Sequence, residues 1–170
     1  MRNKKQKGFS LIELLIVVAI ILIIAAIAIP NLIRSKMAAN EASAVASLRT
    51  LNTTEILFTT GCNIGFSADL KTLGPDPGGT GQAPVCTGAG DDLVDAVMSG
   101  GAGGTATTFT KSGFNFVYAP GAAPIATYTI TAVPVSVGGS GLRGFITDQT
   151  GVIHVNTATP LTPALTDPPL

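Results

Sequence analysis

The acidic side chains and the single histidine are the residues of this chain that could bind a metal or move a proton. Asp91, Asp92 and Asp95 lie close together in the sequence, and carboxylate oxygens are the ligands that Ca²⁺ prefers. The same cluster also fits a helix start, where acids act as N-caps and lie near the positive helix end. His154 falls in a predicted strand, and we interpret it as an ordinary structural residue. Because no catalytic constellation is present, we expect the chain not to be an enzyme.

A single carboxylate, Glu13, stands in an otherwise charge-free apolar segment. A basic stretch, residues 1–7, is followed by Gly8, and the apolar run Leu14–Ile29 ends at Pro30. As a helix, residues 9–29 would reach about 32 Å, close to the thickness of the hydrocarbon core of a bilayer. A carboxylate near the centre of a membrane helix costs about 2.5–3.5 kcal/mol. A plain anchor does not need such a group, so Glu13 is predicted to have a function.

The N-terminal sequence resembles the class III signal of type IV prepilins and type II secretion pseudopilins. The string that carries the resemblance is Lys7-Gly8-Phe9-Ser10-Leu11-Ile12-Glu13-Leu14. The resemblance implies that a membrane peptidase cuts after Gly8 and methylates the new N-terminal Phe9. It also matches Glu13 to the conserved glutamate of that family, and Pro30 to a proline that breaks its N-terminal helix. The motif covers about the first 35 residues.

The resemblance extends to fold and to cofactors. It implies an α+β architecture in which a long N-terminal helix packs on a small antiparallel sheet. Some secretion pseudopilins hold calcium near the C-terminal sheet, which makes Asp148 a weak candidate ligand here. We expect no other cofactor.

Two other interpretations of the N-terminus remain open. One is an ordinary secretory signal peptide, cleaved at the small residues 26–28. The apolar run of this chain is long for the apolar region of a signal peptide, and Glu13 falls inside it. The other is a simple N-terminal anchor with the basic stub in the cytoplasm. That interpretation leaves Gly8 and Glu13 unexplained.

Composition and charge exclude several function classes. The 170 residues carry ten basic and ten acidic side chains. Four of the basic ones lie in residues 1–8, so the remainder has six basic and ten acidic side chains, a formal charge of −4. A net negative charge does not favour binding to nucleic acid, which requires a basic surface. A low surface charge normally favours association, which suits a subunit that packs against copies of itself.

The spacing of apolar residues predicts a helix over residues 9–60, with residues 9–29 crossing the membrane or lying in a filament core. An apolar stripe continues the helix beyond Pro30. Pro30 lacks an amide hydrogen, so the helix is expected to bend or open there. The apolar stripe consists of Met37, Ala44, Leu48, Leu51 and Phe58. The polar positions of the same segment are Arg34, Lys36, Glu41, Arg49 and Glu55.

Residues 61–170 are predicted to form one globular head. Little regular structure is expected over 61–112, apart from short helical turns at 69–73 and 91–98. Period-two alternation predicts three or four antiparallel strands between about 113 and 155. Asp148–Gly151 fits a type I hairpin turn. The proline-rich tail, residues 158–170, is expected to be extended or frayed.

The two cysteines, Cys62 and Cys86, are predicted to form a disulfide. If the basic stub stays in the cytoplasm, the head lies beyond the membrane, where disulfides persist. In the chain-entropy model, closing this loop by a disulfide would stabilise the folded head by roughly 3–4 kcal/mol. Two unpaired thiols are the alternative, because spacing alone does not prove pairing.

The preferred function is a structural subunit of a type IV pilus-like filament. The leader, residues 1–8, would be removed from an inner-membrane precursor, which would then enter an extracellular or periplasmic filament. Expected partners are further copies of the chain in a helical homopolymer, the prepilin peptidase, the inner-membrane assembly platform and the membrane itself. Two alternatives are a major pseudopilin of type II secretion and a membrane-tethered binding domain that never polymerises.

Overall fold

The computed structural model describes residues 9–75, 93–100, 107–158 and 160–170. The chain divides into two units, Met1–Lys36 and Met37–Leu170. Helix α1 runs over Leu11–Cys62, and the carbonyl of Ser10 accepts its first backbone hydrogen bond, from the amide of Leu14 at 3.2 Å. The predicted helix over residues 9–60 is therefore correct to within two residues at each end.

The second unit is built on a five-stranded antiparallel sheet with the strand order β1-β2-β3-β4-β5. Each strand pairs with the next one in the chain, so the sheet is a simple meander. This confirms the predicted α+β class. The strands are β1 Thr108–Lys111, β2 Phe114–Pro120, β3 Tyr128–Pro134, β4 Gly144–Asp148 and β5 Ile153–Asn156.

The core lies between the sheet and the second half of α1. Four residues of the predicted stripe are buried, namely Ala44, Leu48, Leu51 and Phe58, and Met37 is half-buried. The alternating aromatic and aliphatic residues of β2 and β3 face them, as the period-two pattern predicted. Helix and sheet thus bury their apolar faces against each other, which is the arrangement that such patterns require.

Strand β1 was not predicted, because Phe109 is its only large apolar residue. It forms a hairpin with β2 through Ser112 and Gly113, whose φ angles are 50° and 74°. Positive φ at both central residues is typical of the type I′ turn that joins antiparallel strands. The Ser-Gly pair was therefore the sequence signal for this strand.

The predicted helix over 91–98 is wrong in its described part, because residues 93–100 form turns. The amides of Leu93 and Val94 both donate to the carbonyl of Leu73 at 3.0 Å, which ties this segment to the end of α2. The carboxylate of Asp95 accepts from the amide of Met98 at 2.8 Å. Such local side-chain bonds compete with helix formation. By contrast, the predicted turn at 69–73 is confirmed as α2 (Leu70–Leu73), with Asp69 as its N-cap.

The C-terminal tail is extended, and it is hydrogen-bonded to the sheet. The amide of Val155 donates to the carbonyl of Pro168 at 2.9 Å, and the amide of Leu170 donates to the carbonyl of Ile153 at 2.8 Å. These bonds satisfy the outer edge of β5, so the tail, which was expected to be extended or frayed, takes the extended form. An unpaired strand edge would otherwise be a template for aggregation.

Candidate assembly site and the buried glutamates of the long helix

The first part of α1 exposes an apolar surface. Every leucine, isoleucine and valine from Leu11 to Ile33 is exposed, with 44% to 80% of its surface accessible. Complete removal of one such side chain from water is favourable by about 1.5–3 kcal/mol of free energy. Within the described part of the chain, α1 is the one helix long and apolar enough to cross a membrane. This surface therefore needs lipid or other helices around it.

Glu13 lies in the first turn of α1 and is exposed. The two ion pairs found among the described residues join Lys111 to Asp95 and Arg143 to Glu41, and neither involves Glu13. Phe9 is 80% exposed, and Gly8 lies outside the described residues. The roles predicted for these three residues stay predictions.

Helix α1 continues without interruption through Pro30 in the isolated chain. Proline cannot donate the hydrogen bond that the carbonyl of Ala26 would otherwise accept. One residue further on, the side-chain amide of Asn31 donates to the carbonyl of Ile27 at 3.1 Å. The bend at Pro30 and the opening of the helix in a filament stay predictions.

Glu41 attaches α1 to the loop before β4. Its carboxylate accepts from the amides of Leu142 and Arg143 at 2.7 and 3.1 Å, and from the Arg143 guanidinium at 2.8 Å. Glu41 is 6% exposed, whereas the side chain of Arg143 is 44% exposed. The buried charge is therefore compensated by one cation and two backbone donors, as buried charges require.

Glu55 is completely buried and attaches α1 to the connector, residues 63–69, that leads to α2. The amide and the hydroxyl of Ser67 contact its two carboxylate oxygens at 2.9 and 2.5 Å. The Tyr118 hydroxyl donates to the carbonyl of Ser67 at 2.8 Å. Desolvation by burial raises the pKa of Glu55, and the hydrogen bonds from Ser67 oppose this only in part. Burial and the nearby Glu55 also raise the pKa of Tyr118.

Both glutamates were predicted only as polar positions of the helix, and their burial was missed. The signal was present, since Glu41 and Glu55 continue the apolar stripe in steps of three and four residues. Residues 41, 44, 48, 51, 55 and 58 share one helical face. A charged residue type predicts exposure whereas the periodicity predicts burial, and at both positions the periodicity is correct.

Of the candidate calcium ligands, Asp95 and Asp148 lie in the part of the chain that the structure describes, and they are near opposite ends of the sheet. Asp91 and Asp92 lie outside the described residues, and Asp95 pairs with Lys111 at 3.3 Å. Lys111 belongs to the end of the sheet where β3 finishes, whereas Asp148 lies opposite Thr129 near the start of β3. Asp148 instead accepts from the amide of Thr150 at 2.9 Å within the predicted hairpin turn. Among the described residues, no group of three or more potential metal ligands is present.

His154 and Cys62 both lie in the described part of the chain, and each contacts other parts of the head. A ring nitrogen of His154, Nδ1, lies 2.5 Å from the carbonyl oxygen of Asp167 in the tail. Cys62 ends α1 and is partly buried against the core. Cys86 lies outside the described residues, so the predicted disulfide stays a prediction.

Comparison with known proteins defines the N-terminal class. Residues 3–29 match the prokaryotic N-terminal methylation motif. The chain therefore carries the class III prepilin signal, on a fold of the pilin-like α+β type, and both expectations are confirmed. The segment fits a membrane-anchored precursor.

Two curated relatives resemble part of the chain. The type IV major pilin protein PilA of Myxococcus xanthus is 48% identical over 56 residues, which are 33% of this chain and 26% of the relative. The type IV wide pilus major component PilA4 of Thermus thermophilus is 56% identical over 48 residues, 28% of this chain and 35% of the relative. The similarity thus spans about a quarter to a third of each relative's length. No solved structure matches the chain significantly.

Proposed function

We propose that this chain is a structural subunit of a type IV pilus-like filament. It is made as an inner-membrane precursor and trimmed between Gly8 and Phe9 by a prepilin peptidase, which methylates Phe9. It then polymerises with further copies at an assembly platform in the inner membrane. The observation that carries this proposal is the exposed apolar surface of α1, which bears one carboxylate, Glu13, within the matched methylation motif.

The physical basis of assembly is the exchange of lipid for neighbouring helices. In the membrane, the apolar residues of α1 are solvated by hydrocarbon, and in the filament the same residues of other copies replace it. Glu13 then pairs with the ammonium group of Phe9 on an adjacent copy. Removing one partner of a buried ion pair typically costs about 3–5 kcal/mol, so this pair supplies register as well as attraction.

The names of both curated relatives favour a pilus over the alternatives. A major pseudopilin of type II secretion would share every N-terminal residue cited above. Its distinguishing features would be a short periplasmic filament and a specific calcium ion in the sheet-end loops. A membrane-tethered binding domain would keep the Gly8–Phe9 bond intact.

The decisive experiment is the N-terminal sequence and mass of protein sheared from the cell surface. We expect Phe9 as the first residue, with one added methyl group. The Gly8→Val precursor is expected to stay uncut and membrane-bound, because the branched side chain occupies the cleavage junction. Normal trimming of that variant would overturn the peptidase step.

The role of Glu13 is tested by Glu13→Ala. This chain is expected to insert into the membrane at least as well as the unchanged chain, since the penalty for a charge in lipid disappears. Filament yield is expected to fall severely, because the Phe9 ammonium is left unpaired. Ile20→Ala, seven residues along the same helical face, removes apolar area without removing charge and is the matched control. Filaments of Glu13→Ala at the yield of the unchanged chain would refute the pairing role.

A further inference from the structure

The apolar loop, residues 135–142 between β3 and β4, presents three apolar side chains to solvent. Val135, Val137 and Leu142 are 57%, 53% and 55% exposed. The β-bridge between Val137 and Gly141 places Leu142 close to Val137 along the backbone. The apolar loop contains no charged residue. Apolar side chains that lie together on a surface mark a contact surface, whereas scattered single ones do not.

The backbone of the apolar loop is tied together by short-range bonds. The amide of Ser140 donates to the carbonyl of Ser136 at 2.8 Å, and the Ser140 hydroxyl accepts from the Ser136 amide at 3.0 Å. The amide of Gly138 donates to the carbonyl of Gly141 at 2.9 Å. Gly141 packs so closely that an added Cβ would lie 2.7 Å from the Phe114 ring. Such preorganisation lowers the entropy cost of binding a partner.

The apolar loop is attached to the part of α1 that comes first in the second unit. The side-chain amide of Asn40 donates to the carbonyl of Ser140 at 2.9 Å. The Glu41 carboxylate accepts from the amide of Leu142 at 2.7 Å. The loop between β2 and β3, residues 121–127, lies at the opposite end of the sheet. The seven residues of β3 separate the two loops, which corresponds to about 20 Å.

Along α1, the attachment of the apolar loop is close to the level of lipid headgroups. The exposed apolar run of α1 ends at Ile33, and the exposed cations Arg34 and Lys36 follow. Neither cation forms an ion pair within the described part of the chain, and basic side chains next to a span are attracted by anionic headgroups. Asn40 lies one helical turn after Lys36, about 5–6 Å along the helix. The headgroup layer on each side of a bilayer is itself about 5–8 Å deep.

The charges at this end of the sheet do not oppose contact with anionic headgroups. Lys111, at the end of β1, pairs with Asp95 at 3.3 Å, and Arg143, directly after the apolar loop, pairs with Glu41 at 2.8 Å. Asp167 lies further away, beyond β5, where it accepts a hydrogen bond from a β5 side chain. The unpaired charges closest to the attachment of the loop along α1 are therefore the two cations of the preceding turns.

We propose that the apolar loop binds lipid while the chain is a membrane-bound precursor. Val135, Val137 and Leu142 enter the headgroup layer of an anionic membrane, next to the level of Arg34 and Lys36. Exposed apolar side chains beside basic residues are the chemistry by which a protein surface binds such a layer. This contact gives the chain a second attachment to the membrane in addition to α1. The inference rests on the precursor stage of the proposed function.

The unmodified full chain in bicelles of phosphatidylcholine and phosphatidylglycerol tests this inference by NMR. A small fraction of the lipid carries a nitroxide on its headgroup, which broadens the amide signals of nearby residues. We expect stronger broadening over residues 135–142 than over residues 121–127 at the opposite end of the sheet. In a parallel sample, lipid with the nitroxide in its acyl chain should broaden the signals of residues 11–33, which reports insertion of α1.

A charge in the apolar loop tests whether its side chains are responsible. Val137→Asp changes a side chain and leaves the backbone bonds of the loop in place, so the broadening over residues 135–142 is expected to be lost. Val117→Asp is the matched control, since Val117 is a similarly exposed valine on β2, 45% exposed against 53% for Val137. It should keep the broadening. Unchanged signals from the sheet show that each variant is folded.

The outcomes separate this inference from the proposed function. Equal broadening of the two loops while α1 is inserted would overturn the inference and leave the proposed function intact. No broadening of α1 by the acyl-chain nitroxide would overturn the precursor stage and the inference with it. Loop signals that respond to the ratio of chain to bicelle, and not to the headgroup label, would assign the loop to a second copy. Broadening that survives Val137→Asp would also overturn the inference.

Discussion

Replacement of Glu41 by alanine is predicted to loosen the loop before β4. The carboxylate holds two backbone amides and one guanidinium, at 2.7, 3.1 and 2.8 Å. Hydrogen bonds to a charged group contribute about 1.5–3 kcal/mol each but do not add. Because Leu142 and Arg143 are exposed, water can replace part of what is lost. We therefore expect the free energy of unfolding to fall by about 2–3 kcal/mol.

Denaturant unfolding of the full chain in micelles, followed through the tyrosines of the sheet, measures this loss. Arg143→Ala is the matched control, since it removes the guanidinium and leaves both backbone amides on Glu41. It is expected to cost about 1 kcal/mol or less. In a double-mutant cycle the two changes should couple, because they share one contact. If Glu41→Ala unfolds within about 0.5 kcal/mol of the unchanged chain, the carboxylate does not fasten this loop.

The remaining predictions concern the cysteines and the proline. Cys62 and Cys86 are expected to be bonded in the folded head, so reduction should add the mass of two hydrogens, and labelling of free thiols in the native chain would contradict this. Pro30→Ala restores the missing backbone bond of α1 and removes the clash of the proline ring with the carbonyl of Ala26, changes that together amount to roughly 3 kcal/mol in a continuous helix, and it is expected to give stiffer or misassembled filaments. Filaments of unchanged flexibility, or a straight helix through residues 22–34 in the unchanged filament, would refute the account of Pro30.

Local patterns were sufficient for several elements of the fold. The charge-free run before Pro30 and the stripe beyond it predicted α1, because helical periodicity repeats over many turns. Alternation in Phe114, Phe116 and Tyr118 predicted β2 with its buried face. The turn at Asp148–Gly151 was predicted from side-chain chemistry that acts within four residues.

Other features depended on residues far apart in the chain. Strand β1 exists because β2 offers it a partner, and its own four residues carry too weak a pattern. The tail is ordered because the edge of β5 has backbone groups to satisfy. The turns at 93–100 lie against the end of α2, because the carbonyl of Leu73 accepts the amides of Leu93 and Val94.

The sequence by itself determined where α1 lies, which of its residues form one face, and that its first part is an apolar segment with one carboxylate inside the methylation motif. The tertiary structure alone decided that Glu41 and Glu55, which are chemically identical and on the same face, have different surroundings. Glu41 contacts Arg143, which is 102 positions away, whereas Glu55 contacts Ser67 and, in the part of the chain that the structure describes, pairs with no cation. The protonation of a buried carboxyl depends on its neighbours in space, and those neighbours come from sheet and loop packing that no local pattern encodes.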